Sequence, residues 1–306
     1  MKIRSFILFI FVLPFIVFSE ISIKEKNDFI SFEKGKTVLI FNKKSAYGTV
    51  SINLDGKKIC EIVPGFTKLY TTKEKDKYEV VNYWLPTGIQ NLEYYISRDK
   101  DKVELIIFRN FPDISVIEHY TFDEKESFIN YVAEIKREKE GFSLESKIYF
   151  NLSNSKELVW EQNKTTSELL GDYWEKSIEI KNSRWLIGYN TEEKNGLVII
   201  RDYDFDPDAA CHHFRIFRGP TLGIKIAQRD FLSRISLRIG VFENEIPSEI
   251  VKKINLTPCL PSQYSFVDEQ RVYPMINEEE KIEIDGKIEE EIWKKLKKEN
   301  NFYKFK

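Results

Sequence analysis

The chain has 306 residues, of which 14% are aromatic and 31% charged, and its formal net charge is -2. That length allows one large domain or two ordinary ones. The near-neutral balance, with Lys and Glu interspersed throughout, argues against nucleic acid or an anionic membrane as partner, because either needs a basic patch to exploit counterion release or surface potential.

In chain order, the first element is an export signal. Lys2 and Arg4 precede a charge-free apolar run from Phe6 to Phe18, and small Ser19 stands just before Glu20, which is the order of a secretory signal peptide. The run is shorter than the roughly 20 apolar residues that span a bilayer and contains Pro14, so cleavage near residue 19 is expected rather than a permanent span. With no Cys at that junction, no lipid anchor is expected. The mature chain is read as secreted, periplasmic or extracellular.

From Ile21 to Phe242 short runs rich in Val, Ile, Phe, Tyr and Thr alternate with turn residues about every 8 to 12 positions, the pattern of an all-β protein. Strands are predicted at Thr37 to Asn42, Gly48 to Leu54, Lys57 to Val63, Tyr78 to Trp84, Val103 to Arg109, Ser115 to Phe122, Phe128 to Ile135 and Ser146 to Leu152. Asp55-Gly56 suits a tight hairpin, because both central positions of a type I′ turn need positive φ. A second hairpin is predicted between Arg184 to Asn190 and Leu197 to Tyr203, across a loop ending in Asn195-Gly196. Strands continue at Gly223 to Ala227 and Leu232 to Phe242. Helical periodicity is confined to Pro247 to Ile254 and Glu289 to Lys298. The expected architecture is a large antiparallel β-sandwich over residues 20–254.

Around Asp202 the sequence is Asp202-Tyr-Asp204-Phe-Asp206-Pro-Asp208, followed by Cys211, His212 and His213. On a strand Asp202 and Asp204 share a face with Asp206 close behind. Carboxylates so placed repel one another, and a divalent cation such as Ca²⁺ is the cofactor they would suit. Their spacing matches positions 1, 3 and 5 of an EF-hand loop, but Pro207 and His213 stand where that loop needs Gly and Glu. The bland alternative is a solvated loop with Asp206-Pro207 starting a turn. His212, His213 and Asp208, near Arg215 and Arg218, are the catalytic candidates; structural histidine is the competing reading.

Tyr83, Trp84, Trp160, Tyr173 and Trp174 lie beside polar residues and are the candidates for stacking on sugar rings, although most aromatic residues in a sandwich are core. No nucleophile elbow, zinc-protease helix or phosphate loop is present. Glycoside hydrolysis needs two suitably spaced carboxylates, and 49 acidic residues single out no pair. The three cysteines, Cys60, Cys211 and Cys259, are too dispersed for a metal motif, and one disulfide at most is expected without a choice of pair.

Residues 255–280 carry Pro258, Pro261, Pro274 and an acidic run, and read as a linker. Beyond it, Ile282-Glu-Ile-Asp285-Gly286-Lys-Ile-Glu-Glu-Glu291-Ile-Trp293 runs from an alternating strand through an Asp-Gly turn into a short acidic helix with a Trp. This segment resembles the opening of a family 9 carbohydrate-binding module. The resemblance implies the start of a second β-sandwich at 281–306, truncated before the aromatic residues that hold sugar in that family, so it supplies no binding residue here. A strand and a helix alone bury too little apolar surface to fold independently. The functional expectation is a secreted protein that binds polysaccharide or oligosaccharide, with glycoside hydrolysis or another glycan-processing activity as its enzymatic form. The alternatives are a non-catalytic cell-envelope or adhesion sandwich and an inactive gene fragment.

Overall fold

The computed structural model describes residues 20–70, 77–83, 88–153, 155–161, 163–166, 178–180, 183–201, 213–216, 221–228 and 232–254. The chain divides into two units, Met1–Phe266 and Val267–Lys306, and all described residues belong to the first. The expected signal peptide, linker and C-terminal strand and helix fall outside the described residues.

Two antiparallel sheets carry the fold, as the alternating sequence predicts. The first has ten strands: β1 (Ile21–Glu25), β2 (Phe29–Lys34), β3 (Thr37–Asn42), β4 (Val50–Leu54), β5 (Lys57–Tyr70), β6 (Lys77–Asn82), β11 (Ser143–Leu152), β14 (Ile178–Ile180), β17 (His213–Ile216) and β18 (Thr221–Gln228). Their order is β1-β2-β3-β4-β5-β11-β18-β17-β14, with β6 also on β5. The second has nine: β7 (Asn91–Asp99), β8 (Lys102–Asn110), β9 (Ile114–Asp123), β10 (Phe128–Arg137), β12 (Glu157–Trp160), β13 (Asn163–Thr166), β15 (Trp185–Asn190), β16 (Asn195–Arg201) and β19 (Leu232–Glu243). Its order is β13-β12-β15-β16-β19-β10-β9-β8-β7.

Asp55 (φ 50) and Gly56 (φ 77) make the predicted turn between β4 and β5. Past Val63, where the strand was expected to stop, β5 continues through Pro64 and Gly65. Its first half pairs with β4 and its second half with β6, while β11 lines the other edge throughout. The second hairpin also differs from expectation. Asn195 and Gly196 are already in β16, opposite Asn190 and Tyr189, and the left-handed turn residue is Lys194 (φ 50). Gly196 is glycine for another reason. A β-carbon there would collide with the Gly188 carbonyl oxygen and come within 2.7 Å of the Phe242 ring.

Apolar side chains on alternate positions of both sheets meet in one core. Aromatic pairs tie the layers: Phe32 stacks on Phe122 at 4.7 Å, and Phe41 meets Tyr120 edge-on at 4.8 Å. Each such contact contributes about 0.5–1.5 kcal/mol beyond its area. A smaller cluster on the opposite face of the second sheet gathers Trp185, Ile187, Tyr189, Val198, Ile200 and Phe242 under Ile250 of the helix α1 (Pro247–Lys253). Strands β8, β9 and β10 of this sheet are also near-continuous in burial rather than alternating.

Candidate functional site

Charged side chains inside apolar strands are costly unless paired, so their placement on β8, β9, β10 and β19 marks what the sheet is organised around. Successive residues on a strand point to opposite faces. Glu118 therefore faces the inter-sheet core with Val116 and Tyr120, whereas His119 faces outward with Ile117 and Thr121.

The inward set is an ion-paired network. Glu118 accepts from Arg109 on one oxygen and from the Tyr131 hydroxyl, at 2.8 Å, on the other. Arg109 also donates to the Ala46 carbonyl at 3.1 Å and lies 5.2 Å from the Tyr83 ring centre. Both charges are fully buried. Burial pushes the Tyr131 hydroxyl well above the usual tyrosine range and lowers the Arg109 guanidinium. These groups bind one another, Arg109 Nε alone of the guanidinium nitrogens being buried without a partner, and hold the turn before β4 against the second sheet.

The outward set is different. On β8, β9, β10 and β19, strand register lines up Glu104, Thr121, Asn130 and Arg238 in one row, Ile106, His119, Val132 and Ser236 in the next, and Phe108, Ile117, Glu134 and Arg234 in a third. His119 Nδ1 lies 2.9 Å from Glu104 Oε1, and Glu134 pairs with Arg234. His119 and Glu134 are fully buried, and Glu104, Asn130, Ser236 and Arg238 are nearly so. His119 Nε2 and Asn130 Oδ1, both in this patch, are buried with no hydrogen-bond partner. Buried polar atoms are rarely left so, and such orphans on adjacent strands of one face point to a missing partner. Partly exposed Thr121 and Arg234 form the rim.

The residues expected from sequence fall elsewhere. Asp202, Asp204, Asp206, Asp208, His212, Trp84, Tyr173 and Trp174 lie outside the described residues. His213 opens β17, and its side chain is likewise undescribed. Tyr83 is a correction: it is 1% exposed, packed among Phe66, Phe111 and Arg109 in the inter-sheet core, which leaves its ring no face for a sugar. Trp160 on β12 is half-buried against the same core. On the edge strand β7, Tyr95 is exposed. Cys60 is a free, buried thiol. Among the described residues no group of three or more His, Cys, Asp or Glu could hold a metal ion, and no helix is long and apolar enough to cross a membrane.

Sequence reasoning placed His119 on a strand and gave it no role, because its partners come from β8, β10 and β19. The available signal was charge at both parities of an otherwise apolar strand, Glu118 beside His119.

No protein-family model matches the sequence, and no curated protein matches it. A solved structure shares the fold. The chain is similar to an α-mannosidase from Enterococcus faecalis V583, with a TM-score of 0.50 at 8% identity over 73% of this chain and 30% of that one. A glycosyl hydrolase family 38 protein from Enterococcus faecalis gives a TM-score of 0.49 at 7% identity, over 73% of this chain and 31% of that one. A galactose mutarotase-like protein from Clostridium acetobutylicum gives 0.45 at 9% identity, over 73% and 99%. The chain spans less than a third of the two longer proteins, and at these identities the likeness is one of fold.

Proposed function

We propose that the protein binds carbohydrate, with the buried polar patch centred on His119 and Asn130 in its nine-stranded sheet as the base of the site and partly exposed Thr121 and Arg234 as the edge a ligand meets. The observation that carries this function is the pair of buried, unpartnered polar atoms His119 Nε2 and Asn130 Oδ1, beside Glu104, Ser236 and Arg238. Sugars present the closely spaced hydroxyl groups that such atoms lack. The fold shared with part of an α-mannosidase supports a sugar as the ligand class, as does the segment Ile282 to Trp293, which resembles the opening of a carbohydrate-binding module. The N-terminal signal sequence fits a protein that meets its glycan outside the cytoplasm.

The test is binding of the chain from Glu20 onward to a panel of soluble and insoluble polysaccharides, with released reducing sugar assayed in the same tubes. Binding that disappears in His119→Ala and Asn130→Ala, while unfolding of both variants stays cooperative, is the expected result. Silence across the panel, or binding indifferent to both substitutions, would sink the proposal. Protein binding at an open sheet edge is the alternative, favoured by one observation: among the described residues β7 pairs with β8 alone, and it carries exposed Tyr95.

A further inference from the structure

We infer that one end of the sandwich holds a second ligand site, a cavity between the two sheets that takes a single sugar ring. It goes beyond the function proposed above, because its residues are none of those around His119.

The alternation that builds the core changes character where β2 ends and β3 begins. Ile30 and Phe32 on β2, and Leu39 and Phe41 on β3, belong to the inter-sheet core, so strand parity turns Lys34 and Thr37 inward as well. These two are register partners. Inward positions of a sandwich ordinarily fill the core with apolar side chains. Here the polar pair lines a cavity of about 330 Å³ whose apolar walls are Phe32, Leu39, Phe122, Ile129 and Val241. Residues 124–127, the turn between β9 and β10, line its other side.

Lys34 ties that turn to the first sheet. Its ammonium donates to the main-chain oxygen of Asp123, at 2.5 Å, and to that of Glu126. Lys36, in the turn between β2 and β3, pairs with Glu243 at the end of β19, 2.8 Å away. Both contacts bridge the two sheets. An ammonium has three N–H donors. The two carbonyls take two of them, which leaves one for a ligand, together with the Thr37 hydroxyl, a group that both donates and accepts.

The volume lies at the lower end of the range of about 300–1,000 Å³ for small-molecule sites, which suits one ring rather than a chain. A hydrocarbon of that size would cover the ammonium and the hydroxyl without offering either a partner, at a cost in desolvation. A sugar ring meets both halves of the lining. Its C–H groups lie on the apolar walls, and its hydroxyls accept from Lys34 and exchange hydrogen bonds with Thr37.

The experiment uses the chain from Glu20 onward, labelled at its Ile, Leu and Val methyl groups and titrated by NMR with methyl mannoside, methyl glucoside and methyl galactoside. Leu39, Ile129 and Val241 report from the cavity, and Ile106, Ile117 and Val132 from the His119 patch. At least one glycoside is expected to shift the cavity methyls to saturation. Val241→Phe, which fills the cavity, should weaken that binding at least about tenfold. Thr37→Val, which keeps the shape and removes the hydroxyl, should weaken it about threefold to tenfold, the worth of one hydrogen bond. Shifts confined to the His119 reporters, or cavity binding indifferent to both substitutions, overturn the inference and leave the function proposed above standing. Cyclohexanol, a ring of like size with one hydroxyl, overturns it too if it binds the cavity as tightly as the glycosides. No shift from any of the three glycosides also overturns it, whereas the function proposed above falls only with silence across the polysaccharide panel.

Discussion

Arg109 Nη2 donates to the Ala46 carbonyl oxygen 3.1 Å away, joining β8 of the nine-stranded sheet to the turn between β3 and β4 of the ten-stranded one. Ala46 and Tyr47 both take left-handed backbone angles, φ 51 and 56, without being glycine. Such residues persist where surrounding contacts over-determine them, and here the guanidinium is one of those contacts.

Replacing Arg109 with Met leaves Glu118 as a buried charge without its cation. The expected loss is about 3–5 kcal/mol, read as a fall in the urea midpoint. Adding Glu118→Gln recovers part of it, because the charge is then gone. Equal stability of the single and double variants would show that the turn contact, rather than the ion pair, carries the effect.

Gly196→Ala tests close approach between β15 and β16. The added methyl meets backbone, so the cost is expected at about 3 kcal/mol, the upper end for overpacking. Gly56→Ala has open space around it and loses only left-handed freedom, about 1–2 kcal/mol. Thermal unfolding of the two variants should rank them in that order.

Asp113 accepts from Lys139 at 2.8 Å and from Lys68 at 3.0 Å, and those bonds, Lys139 first, hold its carboxyl below the ordinary value. A depressed folded-state value means that the stabilisation is complete above the unfolded carboxylate range and is lost as pH falls through the folded one. Asp113→Asn should therefore destabilise the protein at neutral pH and flatten the acid side of its stability curve. An unchanged acid limb in a pH series of denaturant melts would contradict this.

Burial pushes the Cys60 thiol far above the reactive range. Cys60 should stay unalkylated by iodoacetamide in the native protein at pH 8 and label fully once denatured, as peptide mass mapping will show.

Much of the sandwich was legible because period-two alternation and turn chemistry act locally. Thr37 to Asn42 and the Asp55-Gly56 turn show this. Gly196 was misread because a glycine demanded by a neighbouring strand looks, in sequence, like one demanded by a turn. The length of β5 was hidden for a related reason: Pro64 ends a strand by local rules, yet β11 and β6 continue to pair beyond it. The site was the least legible part. His119 acquires meaning only from Glu104, Asn130 and Arg238, and those neighbours are set by the register of four strands rather than by any motif.

The pairing of β10 with β19 has a consequence for the order of assembly. Glu134 and Arg234 are 100 residues apart, so a chain emerging from the ribosome completes β1 to β4 as a local meander long before β19 exists. Until β19 arrives, the edge of β10 that it pairs with is open and Glu134 lacks its contact with Arg234, and sheets joined by such distant strands close slowly. The patch around His119 is thus the last part of the second sheet to form, and a nascent chain that stalls before Leu232 holds His119 and Asn130 without the strand that carries Arg234 and Arg238 beside them.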